Sequence, residues 1–420
     1  MKAAPATDRA SAPMQPDPRS AEQILSQVRQ LYNHYPFPPQ PIGTLPPPGW
    51  NWRWSWPQAY AFCTGSHPGK RPVRILDAGC GSGVGTEYIA HQNPEAEIWA
   101  FDLSSQALQI AQARCQASQA PPVQFRELNV YDIDQLPGQF DFINCVGMIH
   151  HLPDPVAGIQ ALASKLAPGG ILHLFVYGEL GRHEIRLMQK AIRLLVNGSE
   201  HQPLTSVEQL QKGLQIGRSL FQILPETNRI QQQERSRWAT ENVDDECFAD
   251  MYLHPQEIDY TIETLFDLIQ ASGLQFLRFS NPEFWQLQRV LGKDESLLAQ
   301  ASQLPEQERY RLIELLDPVV AHYELFLGRP PLPQREWHTL ETLESAVAHL
   351  SPCLGLWPGR SLFNYAYEAI SLSEEAFAFL QQVDGIRTVK DIQGRIDSPL
   401  SVEQLQQLLR WQVLLLQPQD

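Results

Sequence analysis

Val73-Arg74-Ile75-Leu76-Asp77-Ala78-Gly79-Cys80-Gly81-Ser82-Gly83-Val84-Gly85 decides the fold. The apolar run before Asp77 suits a parallel strand buried on both faces. Gly79, Gly81 and Gly83 then form a tight turn on which a ligand can lie directly against backbone. The unpaired N–H groups of the helix that follows suit a polar ligand end. Spacing excludes two ligand classes. A dinucleotide turn reads G-x-G-x-x-G, yet the sixth position is Val84 counted from Gly79 and Thr86 counted from Gly81. No G-K-[ST] follows, which excludes a phosphate-cradling loop. Asp77 would repel a pyrophosphate but can hold the ammonium of an amino-acid ligand, directly or through water. Further on, Ile98-Trp99-Ala100-Phe101-Asp102-Leu103-Ser104 reads as a second strand ending in an acid, placed as a ribose-hydroxyl acceptor should be.

These residues resemble class I S-adenosylmethionine-dependent methyltransferases, and the resemblance extends downstream. Leu128-Asn129-Val130-Tyr131-Asp132 is similar to the family's adenine-contacting motif. Asn129 stands where the family often has Asp, so Asp132 rivals it. Phe140 to Leu152, which includes Cys145 and Val146, is similar to the fourth-strand motif, and Leu166-Ala167-Pro168-Gly169-Gly170 to the turn before the fifth strand. The resemblance implies S-adenosylmethionine as cofactor, held by Asp77, Gly79, Gly81, Gly83, Asp102, Leu103, Asn129, Val130, Cys145 and Val146. It also implies an α/β fold: a Rossmann-like, mostly parallel seven-stranded sheet with helices on both faces. In similar methyltransferases a Tyr-x-x-Tyr-Pro-Phe-like segment precedes the first strand and covers the cofactor, which puts Tyr32, Tyr35 and Phe37 forward here. Electron-rich rings suit a sulfonium; the alternative is simple packing on the core.

The chain of 420 residues has room for two or three domains, and 43% hydrophobic residues make it globular. A net charge of −15 argues against bulk nucleic-acid binding. The cysteines Cys63, Cys80, Cys115, Cys145, Cys247 and Cys353 form no C-x-x-C pair, so neither zinc nor a disulfide framework is expected. No signal peptide or membrane span is evident, and a cytoplasmic protein is expected.

Residues 1–20 read as a disordered Pro-rich tail, and 21–70 as a helix followed by a Pro/Trp-rich cap. Trp50, Trp52, Trp54 and Trp56 alternate and would share one face of an extended segment, as a strap on the core or a wall over a cleft. The catalytic domain is expected over 71–330, with strands at 73–77, 98–102, 123–128, 141–146, 171–177 and 274–279. His322–Gly328 is the last strand, antiparallel as the family topology implies. A helical insertion occupies about 180–265, with helices at 182–197, 206–213 and 219–224. A small carboxy-terminal α/β or winged-helix-like module covers 336–420.

Methyl transfer is an in-line displacement in which the protein aligns the nucleophile and excludes water. An oxygen or carbon acid needs a general base near pKa 7. The candidates are His150 and His151 after the fourth strand, and Asp250 and His254 with Tyr252 and Tyr260 late in the helical insertion. Each has a bland alternative, a structural loop for the first pair and a capped helix start for the second. His183 and Glu184 are expected on a solvated face, and Glu241, Asp244, Asp245 and Glu246 as a solvated acidic run without metal. The expected activity is methyl transfer to a small or hydrophobic acceptor. A protein-lysine methyltransferase and a non-catalytic cofactor-binding module are the alternatives.

Overall fold

The computed structural model describes residues 19–43, 51–352 and 359–419. The expectations for residues 1–18, Trp50 and Cys353 lie outside these. Helix α1 (Ala21–His34) starts at a capping box in which Ser20 accepts from the Gln23 N–H and Gln23 reaches back. Ile24, Val28 and Leu31, spaced at one helical face, are its buried residues. Pro36, Pro38 and Pro39 then forbid helix.

Trp52–Trp54 is a 3-10 turn, and Trp56 opens α2 (Trp56–Thr64). The tryptophans therefore do not share an extended face. The turn sends Trp52 and Trp56 into a core with Phe62, Ile75, Phe142 and Phe326, while Trp54 faces a cavity.

The central sheet is built from β1 (Arg74–Ala78), β2 (Glu97–Asp102), β3 (Val123–Glu127), β4 (Phe140–Val146), β5 (Leu166–Tyr177), β6 (Gln275–Phe279) and β7 (His322–Gly328). Its order is β3-β2-β1-β4-β5-β7-β6, with β7 antiparallel to both neighbours and the first five strands parallel. Helices α3 (Val84–Gln92), α4 (Ser105–Ala117) and α5 (Pro155–Lys165) cross between strands. Ser104 and Asp154 cap α4 and α5 through their side chains. The order reverses direction between β1 and β4, which opens a crevice at their carboxyl ends.

After β5 come α6 (His183–Asn197), α7 (Val207–Ile223), α8 (Arg229–Gln233) and α9 (Asp245–Tyr252). Their shared core of Ile185, Met188, Ile192, Leu210, Phe248 and Tyr252 also takes in Leu31 and Tyr35. Helix α7 runs unbroken where two short helices were expected. Its glycines are packing residues: a Cβ on Gly213 would lie 2.5 Å from Leu204, and one on Gly217 2.7 Å from Phe248. Helices α10 (Ile262–Ser272), α11 (Leu287–Leu291), α12 (Glu295–Ser302) and α13 (Glu306–Leu316) complete the layers. No helix of the described residues is long and apolar enough to cross a membrane.

The carboxy-terminal module holds α14 (Leu340–Ser345), β8 (Val347–Leu350), β9 (Ser361–Phe363), β10 (Ala369–Ser371), α15 (Glu374–Gln381), α16 (Val389–Gln393), α17 (Val402–Arg410) and β11 (Leu414–Gln417). It has its own core around Leu343, Phe379, Leu405 and Leu414. It also grips the tryptophan turn. The Tyr365 ring packs on Trp52 at 5.7 Å, and the Tyr367 hydroxyl accepts from the Asn51 N–H at 2.9 Å.

Candidate active site

A cavity of about 860 Å³ lies at the carboxyl ends of β1, β2 and β4, roofed by α1, the segment Phe37–Pro41 and the helical insertion. Asp77, Gly79, Gly81, Asp102, Leu103, Asn129, Val130 and Val146 line one half, joined by Trp54 and Asn144. Asp102 closes β2. Its Oδ2 accepts from the Gly81 N–H and its Oδ1 from the Ser104 N–H, both at 2.8 Å. Burial pushes its carboxyl up, and these backbone donors pull against that. Asp77 Oδ2 accepts from the Thr86 hydroxyl at 2.6 Å and Oδ1 from the Asn144 amide at 2.7 Å. Burial raises its pKa to about 6 despite these two bonds. Asn129, at the cavity wall, accepts from the Tyr131 N–H through its side-chain oxygen. Its rival Asp132 is exposed and outside the cavity.

Three expected cofactor residues do not line the cavity. Gly83 (φ +81°) caps α3, where a Cβ would meet Ala111 at 2.5 Å. Cys145 points into the sheet core, and Tyr35 is buried against the insertion. Tyr32 and Phe37, put forward with Tyr35, do line the cavity.

The other half is lined by Tyr32, His151, Tyr177, Arg182, Trp238 and Asp250, among others. The Tyr32 hydroxyl donates to Asp250 Oδ1 at 2.8 Å and the Tyr177 hydroxyl to Oδ2 at 3.2 Å. Burial first, then the Asp250 charge, raise both phenols well above their usual pKa. The Arg182 guanidinium lies 3.5 Å from the centre of the Tyr177 ring and pairs with Glu257 at 3.1 Å. His151 Nδ1 lies 2.8 Å from the Gln256 carbonyl, which can only accept, so Nδ1 carries the proton. Burial lowers the pKa of the ring, partly offset by Asp250 and Glu257. A neutral ring with a proton on Nδ1 leaves the lone pair on Nε2.

Of the other expected bases, His150 and His254 are fully buried and do not line the cavity. His254 stacks behind His151 at 3.6 Å, and His150 packs on Tyr177 at 3.9 Å. Burial drives the pKa of both far down. Tyr252 instead donates to buried Glu234, and Tyr260 sits in the core. Glu184 is not on a solvated face: it is 9% exposed and pairs with Arg229 at 2.6 Å. Glu241, Asp244 and Asp245 are exposed as expected, and Glu241 and Asp244 also line the cavity.

The methyltransferase-domain family model matches residues 76–172. An uncharacterized protein from Synechococcus sp. is 50% identical over 402 residues, 94% of either chain. The ubiquinone biosynthesis O-methyltransferase of Albidiferax ferrireducens is 37% identical over 98 residues, 23% of this chain and 38% of that enzyme. In fold, the chain is similar to PKMT2 from Rickettsia typhi in complex with AdoHcy, with a TM-score of 0.58 at 16% identity over 89% of this chain and 78% of that one.

The chain belongs to the class I S-adenosylmethionine-dependent methyltransferases.

The cavity of this methyltransferase fits that cofactor by its own chemistry. Asp77 precedes the glycine turn, and Asp102, at the end of β2, accepts from its Gly81 N–H; both line the cavity, where carboxylates suit an ammonium and ribose hydroxyls. Between β4 and the loop beyond it, Gly147 (φ +81°) lines the cavity, and a Cβ there would meet nothing within 4 Å.

Sequence reasoning missed Arg114, which gives no local signal on a polar helix. It is 1% exposed, and it donates to the carbonyls of Ser82 at 3.1 Å, Pro41 at 3.2 Å and Gln40 at 2.5 Å. It thereby ties the amino-terminal segment to the glycine turn. The Ser82 N–H donates to the Phe37 carbonyl and its hydroxyl to the Pro38 carbonyl. Arg19, expected in the disordered tail, donates to the Pro255 carbonyl. Deleting residues 1–40 is therefore expected to weaken cofactor binding by at least about tenfold, whereas deleting 1–18 leaves it unchanged. Calorimetric titration with S-adenosylhomocysteine checks both, and equal affinities for the two truncations would refute the roofing role.

Proposed function

We propose that the enzyme transfers a methyl group to an acidic O–H of a small acceptor with an apolar body, and that His151 is the general base. The carrying observation is the His151 tautomer. Its Nδ1–H is committed to the Gln256 carbonyl, so Nε2 offers a lone pair at the cavity wall. S-adenosylmethionine, when bound, supplies an activated methyl on a sulfonium. Asp77, Gly79, Gly81, Asp102, Leu103, Asn129, Val130 and Val146 hold it. Tyr32, Asp250 and Tyr177, bonded to one another, orient the acceptor beside His151. Phe175, Trp238 and Met148 give that half an apolar wall, which suits an apolar acceptor and excludes water.

A second reading, methylation of a protein lysine, draws support from the carboxylates of Glu241, Asp244 and Asp250 along the cavity, which suit an incoming amine. Methyl-labelled S-adenosylmethionine with cell extract separates the readings. Label in the solvent-extractable fraction supports the small acceptor. Label confined to protein would transfer the assignment to the lysine reading.

A further inference from the structure

One row of polar side chains crosses the buried middle of the sheet. Asp77 on β1 is the register partner of Asn144 on β4, and Asn144 of His173 on β5. Partners in neighbouring parallel strands point to the same face, so the three side chains form a line. Glu324 on β7 extends it. Asn144 and His173 are 2% and 0% exposed, so these two must find their partners within the row.

The hydrogen bonds fix the roles. The Asn144 amide nitrogen donates to Asp77 Oδ1 at 2.7 Å, which turns its Oδ1 toward His173 Nδ1 at 2.8 Å. His173 Nε2 faces Glu324 Oε1 at 3.1 Å. An amide oxygen and a carboxylate oxygen both accept, so both ring nitrogens of His173 must donate. Only the imidazolium does that. At the far end Glu324 Oε2 accepts from the Ser280 hydroxyl at 2.6 Å, and Arg53 Nε lies 2.7 Å away. Charges along the row then alternate, with Asp77 negative, His173 positive, Glu324 negative and Arg53 positive, and they sum to zero. A neutral His173 beside an ionised Asp77 would leave the row with one uncompensated buried negative charge. The charges balance without the imidazolium only if Asn144 is flipped and Asp77 carries a proton, which would end its hold on an ammonium.

We propose that Asn144, His173 and Glu324 are positioning residues for the cofactor's amino-acid end: a buried imidazolium at His173, balanced by Glu324 and transmitted through the Asn144 amide, keeps Asp77 an oriented carboxylate. The row also reaches the tryptophan turn, because Arg53 adjoins Trp54 at the cavity wall. The other titratable groups near Asp77 cannot do this. Asp102 opposes its ionisation, and the thiols of Cys80, Cys115 and Cys145 stay protonated, raised by burial. The reading concerns the cofactor half alone and is independent of the acceptor.

Two measurements test it on the full chain. In protein labelled with nitrogen-15 at histidine and saturated with S-adenosylhomocysteine, both His173 ring nitrogens are expected to be protonated at neutral pH. The signal is assigned by its loss in His173→Gln, or through contacts with the stacked Phe326 ring. A lone-pair nitrogen at Nδ1 overturns the proposal. The second readout is S-adenosylmethionine affinity against pH by calorimetry. Asp77 holds the ammonium only when ionised, so wild-type affinity is expected to fall as pH drops through about 6. Removing the His173 charge raises the Asp77 pKa, so in His173→Gln this fall should move up by about one pH unit. Glu324→Gln, which keeps the shape of the site, should move it the same way and serves if His173→Gln does not fold. A profile superimposable on wild type in a folded variant overturns the proposal, and the spectrum of the wild-type protein decides by itself if neither variant folds.

Discussion

Gly81→Val is expected to abolish cofactor binding, with an affinity loss of at least about 100-fold. Two observations set that size. Gly81 sits at φ +53°, where a β-branched residue is strained, and an added Cβ would stand 2.4 Å from the Phe37 carbonyl oxygen. That oxygen is backbone and already receives the Ser82 N–H, so it cannot yield without dislodging the amino-terminal segment. The substitution therefore strikes the roof as well as the turn. Asp102→Ala acts differently. It deletes a carboxylate that accepts from Gly81 and Ser104 and faces the cavity, with an expected loss of about tenfold to a hundredfold. His183→Ala, on an exposed part of α6, should change nothing. Titration with S-adenosylhomocysteine, with circular dichroism as the folding check, measures all three. Wild-type affinity in folded Gly81→Val would remove the turn from the site.

His151→Gln should leave cofactor affinity within a factor of about two and lower kcat by about 10²–10⁴-fold, the usual share of a general base. Labelled methyl transfer into the extract fraction that accepts it gives the rate. The pH dependence carries a sign. His151 works as a base only when neutral, and burial holds its pKa below the usual 6.5. The wild-type kcat should therefore stay flat from alkaline pH down to 6.5 and fall only below it. In His151→Gln that limb should vanish. The Asp77 limb belongs to cofactor affinity and is removed by saturating cofactor, so the two titrations separate. An unchanged kcat would mean the acceptor arrives already able to attack, as a neutral amine does, and would favour the lysine reading.

The sheet was legible because each strand is a short apolar run bounded by turn residues. The expected 322–328 agrees with β7 to the residue. Where one motif lies on one turn, its spacing was enough to anticipate that Asp77, Gly79, Gly81 and Asp102 meet at one cavity. Contacts distant in sequence were not. Nothing local says that Gly213 and Gly217 make room for Leu204 and Phe248 rather than break a helix. The alternating tryptophans have the period of a strand, yet a 3-10 turn satisfies their burial equally well. In His150-His151, the choice of the ring that faces the cavity depends on Gln256, more than a hundred residues away. The polar row of Asn144, His173 and Glu324 hides in the same way, as polar letters inside three mostly apolar strands.

The grip of Tyr365 and Tyr367 on the tryptophan turn has a consequence for how the protein is made. Asn51 and Trp54 line the cofactor cavity, but the residues that hold their turn in place leave the ribosome about 300 residues later, roughly 15–60 s at ordinary rates of synthesis. The strand β7 that carries Glu324 is also late. A nascent chain can form the glycine turn early, yet Asn51 and Trp54 gain these holds only once Tyr365 and Tyr367 have emerged and folded onto them. A chain cut before Tyr365 is therefore expected to bind the cofactor more weakly than the full chain.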